Sequence, residues 1–254
     1  MSILITDWGN FDEVLPVAMK YQVGMELLEF AVPENLENNT SMIEELQKEV
    51  SAIPVLGLHG PFTDLVPASR DPLVRHVTRT RFQQGYDLAR TLGASHYILH
   101  SGYIPKTYPR EVWLQNSLDF WLGFLADKPG VDMIHIENVY EDDYSTLQEL
   151  VDRVNQELQG EWLSICVDIG HVHANSSKTL PDWIKGLGNR IHYTHIHNNN
   201  GVLDDHWKLD KGEINVDEVL NLLSKYAPSA HWTIETSVED LEPSLVWLHD
   251  RGYL

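Results

Sequence analysis

Short apolar runs alternate with longer amphipathic stretches along the whole chain. Eight of these runs are five to eight residues long and rich in Ile, Leu, Val and aromatic residues. Many are continuously apolar, which is typical of strands that are buried on both faces. We predict strands at Ile3–Trp8, Val23–Phe30, Pro54–His59, Ser95–His100, Asp132–Glu137, Leu163–Asp168, Ile191–His195 and His231–Thr236.

A stretch that reads as a helix follows each of these runs. In the longest one Phe82, Tyr86 and Ala89 recur at helical spacing, and Gly93 follows as a stop signal. Eight strand–helix pairs in 254 residues correspond to about 32 residues each, near the size of a βα unit. No linker interrupts them. We therefore predict an α/β protein with a single (β/α)8 TIM barrel domain over residues 1–254; a doubly wound open sheet is the alternative.

Nearly every predicted strand has, at its C-terminal end, a residue of a type that binds metals or transfers protons. These residues are Glu29, His59, His100, Glu137, Asp168, His195 and Glu235, with His171 one turn after the sixth strand. An isolated residue of this kind is usually structural, but six consecutive strands, from the third to the eighth, end in one. In a barrel these ends converge on the C-terminal face, where active sites of this fold lie. The pattern predicts a site at that face.

The segment from His195 to His206 has the highest density of such residues. It reads His-Ile-His-Asn-Asn-Asn-Gly-Val-Leu-Asp-Asp-His, and imidazole and carboxylate suit Zn, Mn, Fe and Co. Asp204 and His206 form a separate arm that could bind another metal with His171 or close over substrate. The sequence does not decide whether His197 belongs to the site.

Charge and composition narrow the class of protein. The chain has 38 acidic and 18 basic residues and a formal charge of −20, which disfavours binding to duplex nucleic acid. Its one cysteine, Cys166, lies in a strand-like run and is expected to be a buried thiol. Without a signal peptide or a long apolar window, we expect a cytoplasmic protein with no membrane segment. Barrels of this kind often pair, so a homo-oligomer is compatible with the sequence.

The strand-end motifs resemble those of the xylose isomerase-like TIM barrels, the sugar phosphate isomerase/epimerase superfamily that also includes endonuclease IV. Each motif is weak alone, but in this order along the whole chain they are specific for the superfamily, although not for one activity. They are Leu-His59-Gly-Pro-Phe, Leu-His100-Ser-Gly, Ile-Glu137-Asn, Val-Asp168-Ile-Gly-His171, His195-Ile-His-Asn-Asn, Asp204-Asp-His206 and Ile-Glu235-Thr.

The resemblance to the isomerases and epimerases implies one divalent metal ion (Mn, Zn, Co or Fe) held by Glu137, Asp168, His195 and Glu235. The implied reaction is proton transfer through a metal-stabilised enediolate of a small sugar, sugar phosphate or related polyol ketone. Glu137 and Glu235 would be the catalytic acid–base pair. Residues expected to contact substrate are Glu29, His59, His171 and Trp207.

Endonuclease IV, which holds three zinc ions, provides the alternative. All nine of its ligand types are present, because the four residues above are joined by His59, His100, His171, Asp204 and His206. This set favours a multinuclear zinc phosphodiester hydrolase acting on abasic-site DNA. Against it, Asn198–Asn200 replace the Asp-Ser-Lys of the nuclease, and no arginine lies between Arg190 and Arg251. A metal-dependent dehydratase and a binding protein with a vestigial site are further alternatives.

Overall fold

Eight parallel strands close into a barrel in chain order, so the predicted (β/α)8 fold is confirmed. The computed structural model describes residues 1–37, 40–128 and 134–254. Ile3 lies opposite Trp232, which closes the barrel between its first and last strands. The strands are β1 (Ile3–Thr6), β2 (Gly24–Leu27), β3 (Leu56–His59), β4 (His96–His100), β5 (Ile134–Glu137), β6 (Leu163–Asp168), β7 (Ile191–Ile196) and β8 (His231–Ile234).

Helices surround the barrel and return the chain from each strand to the next. Among the described residues they are α1 (Phe11–Tyr21), α2 (Thr40–Glu49), α3 (Pro72–Leu92), α4 (Arg110–Leu125), α5 (Ser145–Glu157), α6 (Ile169–Asn175), α7 (Leu180–Leu187), α8 (Val216–Tyr226) and α9 (Val238–Asp250). Helix α3 ends at Gly93, whose φ of 74° closes the last turn. No helix in the described ranges is long and apolar enough to cross a membrane.

Apolar packing is concentrated between the barrel and its helices, whereas the barrel interior is largely polar. The outer layer includes the fully buried indoles of Trp113, Trp121 and Trp183. Inside the barrel, a separate small apolar cluster contains the buried Cys166 thiol and Tyr193. Buried Glu, His, Ser and Thr side chains share the interior with this cluster. Polar side chains therefore line the barrel below the C-terminal face as well as at it.

The second strand ends earlier than its apolar pattern predicts. Strand β2 stops at Leu27, and Glu29 begins a short 3-10 turn, Glu29–Ala31. The Asp7 carboxylate accepts a hydrogen bond from the Leu28 N–H at 2.7 Å, which diverts this amide from the sheet ladder. The prediction that Glu29 ends the second strand is therefore wrong. At the predicted fifth strand, residues 132 and 133 lie outside the described ranges.

Candidate metal centre

The central group of the site is an imidazole ringed by three carboxylates. Nδ1 of His195 lies 3.3 Å from Oε1 of Glu137, 3.2 Å from Oε2 of Glu235 and 3.8 Å from Oδ2 of Asp168. The four side chains come from β5, β6, β7 and the end of β8, and all are buried. The fold thus brings together the four residues that the family resemblance implies as metal ligands.

Glu137 connects this group to a second one. Its Oε2 lies 3.2 Å from Nε2 of His59 and 3.4 Å from Nε2 of His100, while its Oε1 faces His195. The two histidines end β3 and β4. A carboxylate whose two oxygens face different imidazoles has the geometry of a bridge between two cation sites.

The predicted arm forms a third group at the rim of the barrel. Oδ2 of Asp204 lies 3.1 Å from Nε2 of His171 and 2.8 Å from Nε2 of His206. His171 is held in the first turn of α6, where its N–H donates to the Asp168 carboxylate at 2.7 Å. This bond places the third group directly beside the central one.

In four of these histidines the second ring nitrogen is anchored. Nδ1 of His59, His171 and His206 each lies 2.8 Å from a main-chain carbonyl oxygen. Nε2 of His195 lies 3.1 Å from both carboxylate oxygens of Glu26. Donation from the anchored nitrogen leaves a lone pair on the other one, which faces the carboxylates. Histidines that bind metals are oriented in this way.

Burial lowers the pKa values of the histidines, whereas neighbouring carboxylates raise them. Burial lowers the pKa of His100 to about 3, so this ring is neutral. Burial also opposes charge on His195, but the surrounding acidic side chains outweigh it and raise its pKa well above the ordinary value. At His206 burial also opposes the charged form, but the hydrogen bond that the ring donates to Asp204, together with the negative charges of Glu235, Asp204 and Asp168, outweighs it and raises the pKa to about 9. Excess negative charge therefore draws protons into the site, and a cation could replace them.

The central group fits a divalent metal ion. Among the described residues, Nδ1 of His195 and Oε2 of Glu235 have no hydrogen-bond partner, although both are buried and lie 3.2 Å apart. Two ligand atoms on a tetrahedral zinc ion are about 3.4 Å apart, given bond lengths near 2.1 Å. Ligand atoms of Asp168, His195 and Glu235 all lie within 4.8 Å of one another. One imidazole with three carboxylates is a donor set for Zn, Mn, Co or Fe.

Sequence reasoning missed the role of Glu26. This glutamate is fully buried in the middle of β2 and contacts His195 as described above. The sequence analysis assigned the chemistry of this strand to Glu29 because Glu29 was read as the strand end. A glutamate inside an otherwise apolar parallel strand was the available signal, since a buried carboxylate requires a partner.

His197 also belongs to the site, a point that the sequence left open. Its Nε2 lies 3.2 Å from Oδ1 of Asp168, and its ring stacks on that of His206 with centroids 4.0 Å apart. Side chains two residues apart on a strand share a face. The spacing from His195 was therefore the signal for its placement.

Two cavities adjoin the metal centre at the loop between β1 and α1. The first has a volume of about 560 Å³, and Glu29 lines it together with Asp7. The second has a volume of about 470 Å³, and Trp8 and His206 line it. Asn10 and Glu13 line both. The two cavities are therefore neighbours, and His206 places the second one at the rim of the site.

The aromatic side chain of Trp8 stands at this rim. Trp207 lines neither cavity, and Nζ of Lys211 lies 4.5 Å from its ring centroid. Trp8 instead meets His206 edge to face at 4.9 Å. Both Trp8 and His206 have positive φ, 51° and 49°, which is strained for residues other than glycine. Such strain often accompanies functional sites.

The fold and this cluster define a TIM-barrel protein that carries a group of potential metal ligands at its C-terminal face. The chain belongs to the xylose isomerase-like TIM barrel family, whose model matches residues 21–254. The family resemblance inferred from the strand ends is therefore confirmed.

Individual relatives support the same placement. The uncharacterised protein MJ1311 of Methanocaldococcus jannaschii is 26% identical over 213 residues, which cover 81% of this chain and 70% of that protein. The structure of the TTHB071 protein from Thermus thermophilus, soaked with ZnCl2, is 27% identical with a TM-score of 0.79 and covers 99% of this chain and 98% of that one. A D-tagatose 3-epimerase-like protein is 22% identical, with a TM-score of 0.75 and full coverage of both chains.

Proposed function

We propose that this protein is a divalent-metal-dependent isomerase or epimerase of a small sugar, sugar phosphate or related polyol ketone. The observation that carries the proposal is the ring of Glu137, Asp168 and Glu235 around Nδ1 of His195. The relative soaked with zinc and the epimerase-like relative support the same assignment. A bound ion would polarise a carbonyl and an adjacent hydroxyl, which acidifies the C–H bond between them.

We assign the exchange of that proton to the two glutamates of the ring. Glu137 and Glu235 approach His195 from β5 and from the end of β8, so they flank the central position. Burial raises the pKa of Glu235, which makes it a better proton acceptor than an exposed carboxylate. One glutamate removes the proton and the other returns it to the opposite face in an epimerisation. His171 and His59 border this position and are proposed to hold substrate oxygens.

A second candidate is a multinuclear zinc phosphodiester hydrolase. The observation in its favour is that all nine ligand types converge in three adjoining groups joined by Glu137. Two features weigh against DNA as substrate. The chain carries a formal charge of −20. Asn198 and Asn199 are buried, and their side-chain N–H groups donate to the carbonyls of Leu209 and of Gly170 in α6, respectively. A dehydratase would use the same ion and base to expel a β-hydroxyl group as water.

Deuterium exchange tests the leading proposal. Metal-loaded protein is incubated in D2O with ketoses, aldoses, inosose-type polyols and their phosphates, and C–H exchange is followed by NMR. We expect exchange with one class, and a loss of at least about 100-fold in Glu235→Gln at saturating metal. His249→Gln, which changes an exposed histidine, should leave exchange intact. Cleavage of an abasic-site duplex with no exchange on any sugar would reject the isomerase and favour the hydrolase.

A further inference from the structure

The larger cavity beside the metal centre is strongly acidic. Its volume is about 560 Å³ and no lysine or arginine is among the residues that line it. Six of the lining residues are carboxylates, namely Asp7, Asp12, Glu13, Glu29, Glu45 and Glu49. Exposed acidic clusters are common on a protein of this charge, so the cluster alone does not define a ligand.

The buried carboxylate of Asp7 is the observation that points to a cationic ligand. Its Oδ1 accepts from the N–H groups of Leu28 at 2.7 Å and Gly9 at 3.1 Å. Its Oδ2 is buried and has no hydrogen-bond partner in the part of the chain that the structure describes. The side chain is fully buried, and burial raises its pKa to about 6. A buried carboxylate oxygen without a donor is costly, and a cationic donor in the cavity would remove that cost.

The volume of the cavity favours an organic cation over a bare metal ion. Small-molecule sites typically have volumes of about 300–1,000 Å³, and this cavity lies within that range. It shares Asn10 and Glu13 with the second cavity, which His206 lines, so the two cavities are neighbours.

We propose that Asp7 and Glu29 bind the protonated amino group of a polyhydroxylated amine, whose hydroxyl or carbonyl oxygens reach the metal centre. This inference rests on the proposed function, since it names the substrate class of the same site: an amino sugar or amino polyol. Glu29 is placed for the task, because its Oε1 is held at 2.9 Å by Asn35 while its side chain borders the cavity. A phosphorylated sugar would meet repulsion at this end.

Binding of three unreactive polyols tests the proposal without turnover. Calorimetry on zinc-loaded protein compares 1-amino-1-deoxy-D-glucitol, D-glucitol and D-glucitol 6-phosphate, in a buffer free of amines. A salt concentration of about 0.5 M screens attraction to the exposed carboxylates. We expect the amino polyol to bind at least about tenfold more tightly than D-glucitol, and the phosphate to bind most weakly.

Variants of the cavity supply the second readout. Asp7→Asn keeps the acceptor for Leu28 and Gly9 but removes the charge, so the tenfold preference should disappear. Glu29→Gln should reduce it, and this second variant keeps the test valid if Asp7→Asn unfolds. Glu111→Gln, on exposed α4 surface, should retain the full preference. Equal affinity for the amino and neutral polyols, or a preference that survives in both cavity variants, would overturn the proposal.

The outcomes for this site and for the reaction are separable. Deuterium exchange on a neutral sugar together with equal polyol affinities would leave the proposed function standing and reject the ammonium site. A tenfold preference for the amino polyol without exchange on any sugar would retain the site and reject the reaction.

Discussion

At the residue scale, the orientation of His195 depends on a carboxylate that lies deeper in the barrel. Both oxygens of Glu26 are 3.1 Å from Nε2, so the opposite nitrogen points at Glu137 and Glu235. Removing such a partner typically costs about 10–100-fold in metal affinity. We therefore expect Glu26 to position His195 through this contact.

This role predicts the behaviour of Glu26→Gln. The amide keeps the size of the side chain but loses its charge, so His195 is held less firmly in the metal-binding tautomer. We expect zinc affinity, measured by competition with a chromophoric chelator, to fall about tenfold or more, whereas Glu111→Gln retains it. Zinc affinity equal to that of the wild type would show that Glu26 does not position His195.

Single residues were predictable where chemistry coincides with a strand end. His59, His100, Glu137 and Asp168 end their strands in the structure as the apolar runs predicted. Glu26 and Trp8 were not found, because their roles depend on which partner faces them across the barrel. The apolar strand around Glu26 indicates a buried carboxylate that requires a partner, but the sequence does not identify that partner, which lies 169 residues away at His195.

At the element scale, the loop after β7 is built on one asparagine. The side-chain N–H groups of Asn198 donate to the carbonyls of Leu209 at 3.0 Å and Ile214 at 3.1 Å. Its backbone pairs with Trp207 in both directions, at 2.9 and 2.8 Å. This framework carries the arm of Asp204 and His206 to the rim of the barrel.

Asn198→Ala should therefore disturb both stability and the arm. The buried carbonyls lose their donors, so we expect the free energy of unfolding to fall by about 2–4 kcal/mol in urea titrations. Zinc bound beyond the first equivalent should weaken as well, because the arm is released. The exposed Asn221→Ala is the matched control. A variant with unchanged stability would contradict this view of the loop.

The strands and helices were predictable from the hydrophobic pattern of the sequence, whereas the loop after β7 was not. Eight apolar runs with helical stretches between them predict the barrel, since each unit buries its strand on both faces. The early end of β2 arises from Asp7, which binds the Leu28 amide. The loop depends on side-chain to main-chain bonds from Asn198 to Leu209 and Ile214, which follow no hydrophobic period in the sequence.

At the scale of the whole molecule, polar groups continue to the opposite end of the barrel. Nδ1 of His96 lies 2.9 Å from Nε2 of His135, whose Nδ1 lies 2.5 Å from Oγ of Ser164. The ring of His231 is 4.4 Å from that of His96. Burial lowers the pKa of His96 to about 3 and that of His231 to about 4. The folded barrel thus keeps these imidazoles neutral.

Acid should destabilise the barrel through these groups. Histidines of the unfolded chain have a pKa of about 6.5. Below that pH the unfolded state therefore binds protons that the folded state does not. The contribution of these neutral histidines to the stability of the folded barrel is fully present above about pH 6.5 and is lost as the pH falls toward 4 and then 3. In metal-free protein, urea midpoints between pH 7 and 5 should decline less in His96→Gln than in the wild type. Identical declines in His96→Gln, the wild type and the exposed His76→Gln would contradict this expectation.

The central claim is that one divalent ion sits at Nδ1 of His195 among three carboxylates. Elemental analysis and anomalous diffraction on one preparation test it most directly, since they count the ions and locate them together. We predict a fully occupied ion bound by Glu137, Asp168, His195 and Glu235, with any further ion at His59 and His100 or at His171, Asp204 and His206. Protein that is active with no ion at His195, or with ions bound only at the outer groups, would contradict the account.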